Sequence, residues 1–272
     1  MEGVSTPATH SPHFGLDATA QLYRDVQLPH IFDPWARVLL ELQPPRPGDR
    51  VLDVATGPGT VARQAAVLAG PEGHVTGVDV SPAMLGVARA WRPQDGAAPI
   101  EYIESSAAEV PLPDSSFDVA YCQQGLQHMT EPEAALREMW RLLKPGGRMA
   151  IAAWTSSPFQ RFRQIVGQLV PNAGGHRPSD FGRDAAALKG LLAQLGFGDV
   201  QVQTRQLVST FEGGVSQALR LAEGTSVGPV LATLSEAQRA EVRAALTAAL
   251  EQLASDGVVR LPSEANIATA RR

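Results

Sequence analysis

The sequence predicts an α/β fold, a mainly parallel sheet covered by helices on both faces. Three observations carry this prediction. From Arg50 onward, short apolar runs of strand type alternate with segments of helical periodicity, the pattern of repeated strand–helix–strand units. The first strand runs straight into a glycine turn, Thr56-Gly57-Pro58-Gly59, that opens a helix. The length of 272 residues, with 44% hydrophobic and 19% charged residues, suits one large domain with an added cap.

Residues 1–16 are small and polar with two prolines and read as a flexible tail. Helical patterns follow over 18–27 and 31–42, separated at Leu28-Pro29, and the second stops before Pro44-Pro45-Arg46-Pro47-Gly48. Strands are predicted over 51–55, 75–80, 100–104, 117–122 and 148–154. Ser81 before Pro82 is an N-cap followed by proline at the first helical position. Thr130 and Glu133 have capping-box spacing ahead of Ala135, Leu136, Met139, Leu142 and Leu143, and Lys144-Pro145-Gly146-Gly147 stops that helix. Later come helices over 159–170 and 184–195 around a Gly/Pro-rich loop at 171–182, then a strand over 201–211. Helices fill 213–255, the last opening with Ser235 and Gln238, and a final strand runs over 265–270.

The net charge of −5 argues against a nucleic-acid partner, because a phosphate backbone calls for a basic face. No apolar stretch reaches the ~18 residues that a membrane span needs, and no basic-then-apolar leader opens the chain, so a cytoplasmic setting is the expectation. The single cysteine, Cys122, precludes an internal disulfide and reads as a buried small side chain. His10 and His13 are too few for a metal site, and no metal is predicted.

Gly57 and Gly59 let the backbone turn sharply against a ligand, and the helix start beyond them favours an anionic group, a pyrophosphate or an amino-acid carboxylate. Gly57-x-Gly59-x-x-Ala62 with Asp79 twenty residues past Gly59 also satisfies the dinucleotide fingerprint, so both cofactor classes fit the turn. Asp79 ends the second strand, where a carboxylate can accept both hydroxyls of a ribose. Asp53 is a carboxylate inside an apolar strand, costly to bury without partners, and that cost points to a function.

Four segments in order narrow the choice: Val51-Leu52-Asp53-Val54-Ala55-Thr56-Gly57-Pro58-Gly59, Val75-Thr76-Gly77-Val78-Asp79-Val80-Ser81-Pro82, Phe117-Asp118-Val119-Ala120-Tyr121-Cys122-Gln123-Gln124-Gly125, and Leu142-Leu143-Lys144-Pro145-Gly146-Gly147. Together, over about residues 48–154, they resemble the class I S-adenosylmethionine-dependent methyltransferases. The resemblance is closest to the ubiquinone/menaquinone biosynthesis type and to small-molecule methyltransferases of bacterial secondary metabolism. It implies a Rossmann-like, seven-stranded, mostly parallel sheet with an antiparallel last strand and a helical cap. Residues 17–47 would cover the cofactor, and 48–272 would form the methyltransferase domain, with cap insertions at about 156–182 and 212–257.

The resemblance implies S-adenosyl-L-methionine as cofactor, held by Asp53, Ala55, Thr56, Gly57, Gly59, Asp79, Val80, Met84, Ser106, Ala107 and Gln123. Two positions depart from the family pattern: Ala55 stands where glycine is usual, and Ser106 where an aspartate usually holds the adenine amino group. A small-molecule acceptor, methylated at a hydroxyl or carbon with nitrogen less favoured, would sit among Tyr23, Gln124, Gln127 and Trp154, with His128 as a candidate base. A structural role for His128, at a helix start, weighs about equally. The Asp/Asn-Pro-Pro-Tyr/Phe motif of DNA amino methylation is absent where Cys122-Gln123-Gln124-Gly125 stands. A homodimer is the assembly left open. The rival readings are an NAD(P)-dependent oxidoreductase, disfavoured by a missing Tyr-x-x-x-Lys pair, and an S-adenosylmethionine-binding protein without methyl transfer.

Overall fold

The computed structural model describes residues 23–170, 178–225 and 227–272. The tail, the start of the first helical pattern and most of the 171–182 loop lie outside the described residues. The strands are β1 Arg50–Val54, β2 His74–Asp79, β3 Ile100–Glu104, β4 Phe117–Gln123, β5 Leu143–Ser156, β6 Gly198–Phe211, β7 Ala254–Ser255 and β8 Val258–Arg271. They form one sheet in the order β3-β2-β1-β4-β5-β8-β6, with β7 pairing β8 off that path. Strands β1 to β5 pair in parallel, while β8 runs antiparallel to both β5 and β6. The seven expected strands are thus present with the antiparallel last strand. The eighth, β7, is a two-residue arm too short to show as alternation.

The helices are α1 Tyr23–Phe32, α2 Asp33–Leu42, α3 Thr60–Ala69, α4 Pro82–Arg89, α5 Pro132–Leu142, α6 Gln160–Leu169, α7 Ala185–Gln194, α8 Gly214–Glu223, α9 Val227–Thr233 and α10 Glu236–Glu251. Successive residues of β1 supply opposite faces. Val51 joins a core with Trp35, Leu39, Ala65, Phe162 and Leu246 of α2, α3, α6 and α10. Leu52 and Val54 join a second core with Leu136, Met139, Leu188 and Leu192 of α5 and α7. Both faces are therefore covered, which is why β1 reads as a nearly unbroken apolar run.

Three local expectations need correction. Pro29 does not separate two helices: α1 is π-helical across it and continues into α2. The wider π turn moves aside the carbonyl that a proline ring would strike in an α-helix. The Thr130–Glu133 capping box is not formed, because Pro132 takes the first helical position and Glu131 becomes the N-cap, with no side-chain cap bond. The last strand begins well before 265, since β8 pairs β6 from Val259 onward. Ser81 does cap α4 through Met84 N, and Ser235 with Gln238 does form the box that opens α10. Among the described residues no helix is long and apolar enough to cross a membrane.

Strand order reverses between β1 and β4, the chain leaving β1 for β2 and β3 on one side and returning through β4 and β5 on the other. The carboxyl ends of β1 and β4 therefore frame a crevice at the topological switch point, where open α/β sheets bind ligands.

Candidate functional site

The turn after β1 is left-handed at Ala55 (φ 55°), Gly57 (φ 55°) and Gly59 (φ 79°). Asp53, 1% exposed, braces it: Oδ2 accepts from Thr56 Oγ1 at 2.6 Å and from Ala62 N at 2.9 Å. Burial pushes the Asp53 carboxyl up to about 7, against the opposing pull of those two hydrogen bonds. An unfolded aspartate titrates near ~4, so the folded protein keeps a proton that the unfolded chain releases between about 4 and about 7. Stability from this group is fully present below that window and lost once pH has risen through it. Asp53→Asn keeps an acceptor for Thr56 and Ala62 without the charge. Its stability relative to the parent is expected to increase from pH 5 to pH 8, by on the order of 3 kcal/mol, in urea unfolding at the two pH values. A difference that stays level would place the proton elsewhere.

Asp79 ties β2 to the same turn. Its Oδ2 accepts from Gly57 N at 2.8 Å and its Oδ1 from Ser81 N at 2.9 Å. Burial raises its pKa against the pull of the Ser81, Gly57 and Val80 amides. Val80 beside it is 43% exposed, whereas Met84 is buried at 3%. Ser106 is exposed, and its Oγ accepts from Ala108 N at 3.2 Å, which folds the loop after β3. Ala107 packs against the second core.

Ala55, where the family pattern has glycine, is left-handed, so glycine would relieve strain there. The methyl group is accommodated opposite Gly125, where a Cβ would come within 2.5 Å of Ala55 Cβ. Tyr102 was not singled out from the sequence, yet it props the turn. A Cβ on Gly59 would lie 2.4 Å from its hydroxyl, and one on Gly77 would lie 2.7 Å from its ring. A glycine at the start of α3 and another within β2, each with the same side chain where its Cβ would be, are the signal that a bulky neighbour lies between them.

On the other side of the crevice, Gln123 Nε2 donates to Phe32 O at 2.9 Å, joining the end of β4 to the α1–α2 junction. Tyr23 stacks on Phe32 with centroids 4.9 Å apart, and its phenol pKa is raised by burial and by the charges of Asp79 and Asp33. Tyr23 therefore feels the charges of both Asp79 and Asp33. Asp33 itself lies beside Arg63, at 3.7 Å, and Arg63 donates to Pro58 O at 2.8 Å while resting 4.1 Å over the Trp91 ring. This brace of the turn was also not visible in the sequence.

Gln127 and Trp154 are tied to each other. Gln127 Nε2 donates to Trp154 O at 3.0 Å and its Oε1 accepts from Trp154 N at 2.7 Å, so both ends of the amide are spent on backbone. Trp154 is 6% exposed and packs edge-on against Trp35. His128 ends a 3-10 turn, Leu126–His128, with an exposed side chain and its N–H on Gly125 O at 2.9 Å. Cys122 is buried, and burial pushes its thiol up to about 12. A separate cleft of about 500 Å³ lies at the end of β6, lined by His30, Gln217 and Arg220 among others.

Residues 52–151 match the family described as "Methyltransferase domain". The ubiquinone/menaquinone biosynthesis C-methyltransferase UbiE of Ectopseudomonas mendocina is 39% identical over 135 residues, 49% of this chain and 53% of that one. The chain thus spans about half the length of such relatives. UbiE of Vibrio vulnificus is 31% identical over 180 residues, 60% of this chain and 69% of that one. The fold is shared with phosphoethanolamine N-methyltransferase 2 of Haemonchus contortus, solved with S-adenosyl-L-methionine. That likeness has a TM-score of 0.57 at 21% identity over 94% of this chain and 57% of that one. The chain belongs to the class I S-adenosylmethionine-dependent methyltransferases and is similar to their ubiquinone/menaquinone type.

Proposed function

We propose that the protein transfers the methyl group of S-adenosylmethionine to a hydroxyl or carbon of a small organic acceptor, a quinone- or phenol-like compound or a secondary metabolite, in the cytoplasm. The observation that carries this reading is the link from Asp79 to Gly57 N. One half-buried carboxylate fixes the turn for an amino-acid end and stands at the right strand end for a ribose. In this reading Asp79 holds the ribose, Val80 and Met84 flank the adenine, and Ser106 Oγ with the Ala107 backbone receives the adenine amino group. Asp53, Ala55, Thr56, Gly57, Gly59 and Gln123 shape the methionine end.

The bound sulfonium supplies an already strong methyl donor. The chain's own work is then to position the acceptor in line and to exclude water. Tyr23 and Phe32 do so from α1. His128 takes the proton of an acceptor hydroxyl as the methyl arrives. His128→Ala is expected to lower turnover about a hundredfold while leaving affinity for S-adenosylhomocysteine unchanged. Full activity would return His128 to a role in the turn.

Calorimetric titration with S-adenosylhomocysteine, and in parallel with NAD and NADP, tests the reading. Binding of S-adenosylhomocysteine alone, near one to one, supports it. Binding of a nicotinamide dinucleotide alone overturns it, and binding of S-adenosylhomocysteine without methylated product in an acceptor screen favours a non-catalytic role.

A further inference from the structure

Three glutamines lie within the five residues that start at the last residue of β4, and their amides fare differently. Gln123 donates to Phe32 O, and Gln127 gives both ends to Trp154. Gln124 is 4% exposed, yet among the described residues neither its Oε1 nor its Nε2 has a hydrogen-bond partner. Burying both ends of a primary amide without partners is costly, and native folds do so rarely outside functional sites. The backbone of Gln124 is also left-handed, at φ 49°, while its N–H is anchored on Ala152 O at 2.9 Å. The next residue, Gly125, faces Ala55, the other strained non-glycine residue at the switch point. Strain and unpaired polarity thus converge where β1 and β4 end.

We propose that Gln124 reads the methyl acceptor through a two-point contact. The acceptor would carry a carbonyl together with a hydroxyl or N–H on the same or the neighbouring carbon. A carboxamide presents one acceptor and one donor side by side, and a ligand satisfies both only if its own donor and acceptor are adjacent. A ring with polar groups on opposite edges, such as a 1,4-quinol, can meet only one end. A site built to bond such a pair rejects the analogue that lacks one member, because a buried group is then left unpaired. This inference rests on the methyltransferase reading of the crevice.

The test uses the protein saturated with S-adenosylhomocysteine, with 2-amino-1,4-naphthoquinone as probe and 1,4-naphthoquinone as its counterpart. The parent is expected to bind the amino-substituted probe at least about tenfold tighter. Gln124→Met, of similar length but apolar, is expected to lose that preference and to keep its affinity for S-adenosylhomocysteine. Without ligand it should melt about 2–4 °C higher, because the unpaired amide is gone. No preference in the parent, a preference kept in Gln124→Met, or a lower melting temperature in that variant would each overturn the proposal. Failure of the parent to bind S-adenosylhomocysteine would instead overturn the methyltransferase reading.

Discussion

Asp79→Ala is expected to weaken S-adenosylhomocysteine binding by about a hundredfold or more. Hydrogen bonds to a charged group contribute roughly 1.5–3 kcal/mol each, and a ribose diol on Asp79 would make two. The loss extends beyond those bonds. Gly57 N and Ser81 N both donate to this carboxylate, so alanine also releases the glycine turn from β2 and leaves two backbone amides without their acceptor. Asp79→Asn should fall between alanine and the parent, since it keeps one acceptor oxygen but no charge. Calorimetric titration of the three proteins, with circular dichroism to confirm the fold, distinguishes the cases. Unchanged affinity in the alanine variant would reduce Asp79 to a brace of the turn.

What the sequence made legible was set by neighbours in the chain. The apolar run of β1, the glycine turn, and Ser81-Pro82 at the start of α4 all act within a few residues, and the structure has them where they were read. What escaped was set across the sheet. Nothing near Gln124 in sequence announces its left-handed backbone, at the point where β4 leaves its pairing with β5. Gln127 looked available for an acceptor because its partner, the backbone of Trp154, lies 27 residues away. The Thr130–Glu133 spacing misled for a local reason: Pro132 between them fixes the helix start, so proline outweighed the cap. Pro29 misled in the opposite sense, because a π-helical turn absorbs it.

Gly59→Ala is expected to be strongly destabilising, and the reason makes the effect partly reversible. Two costs combine. The residue sits at φ 79°, where an L side chain costs roughly 1–2 kcal/mol. The new Cβ would also lie 2.4 Å from the Tyr102 hydroxyl and 3.1 Å from the ring carbon that bears it, an overpacking penalty of about 1–3 kcal/mol. The hydroxyl is a poor obstacle to protect, for it is buried and has no hydrogen-bond partner among the described residues. Tyr102→Phe alone should therefore be neutral or slightly stabilising, since an unpaired buried donor is removed with little change in shape. Combined with Gly59→Ala it should recover the hydroxyl's part of the steric loss, but neither the ring carbon's part nor the backbone share. A double-mutant cycle by urea unfolding is then expected to show a coupling of about 1–2 kcal/mol in the rescuing direction. Strict additivity would mean that the turn, and not Tyr102, yields to the added methyl group, and the cofactor affinity of Gly59→Ala should then fall with its stability.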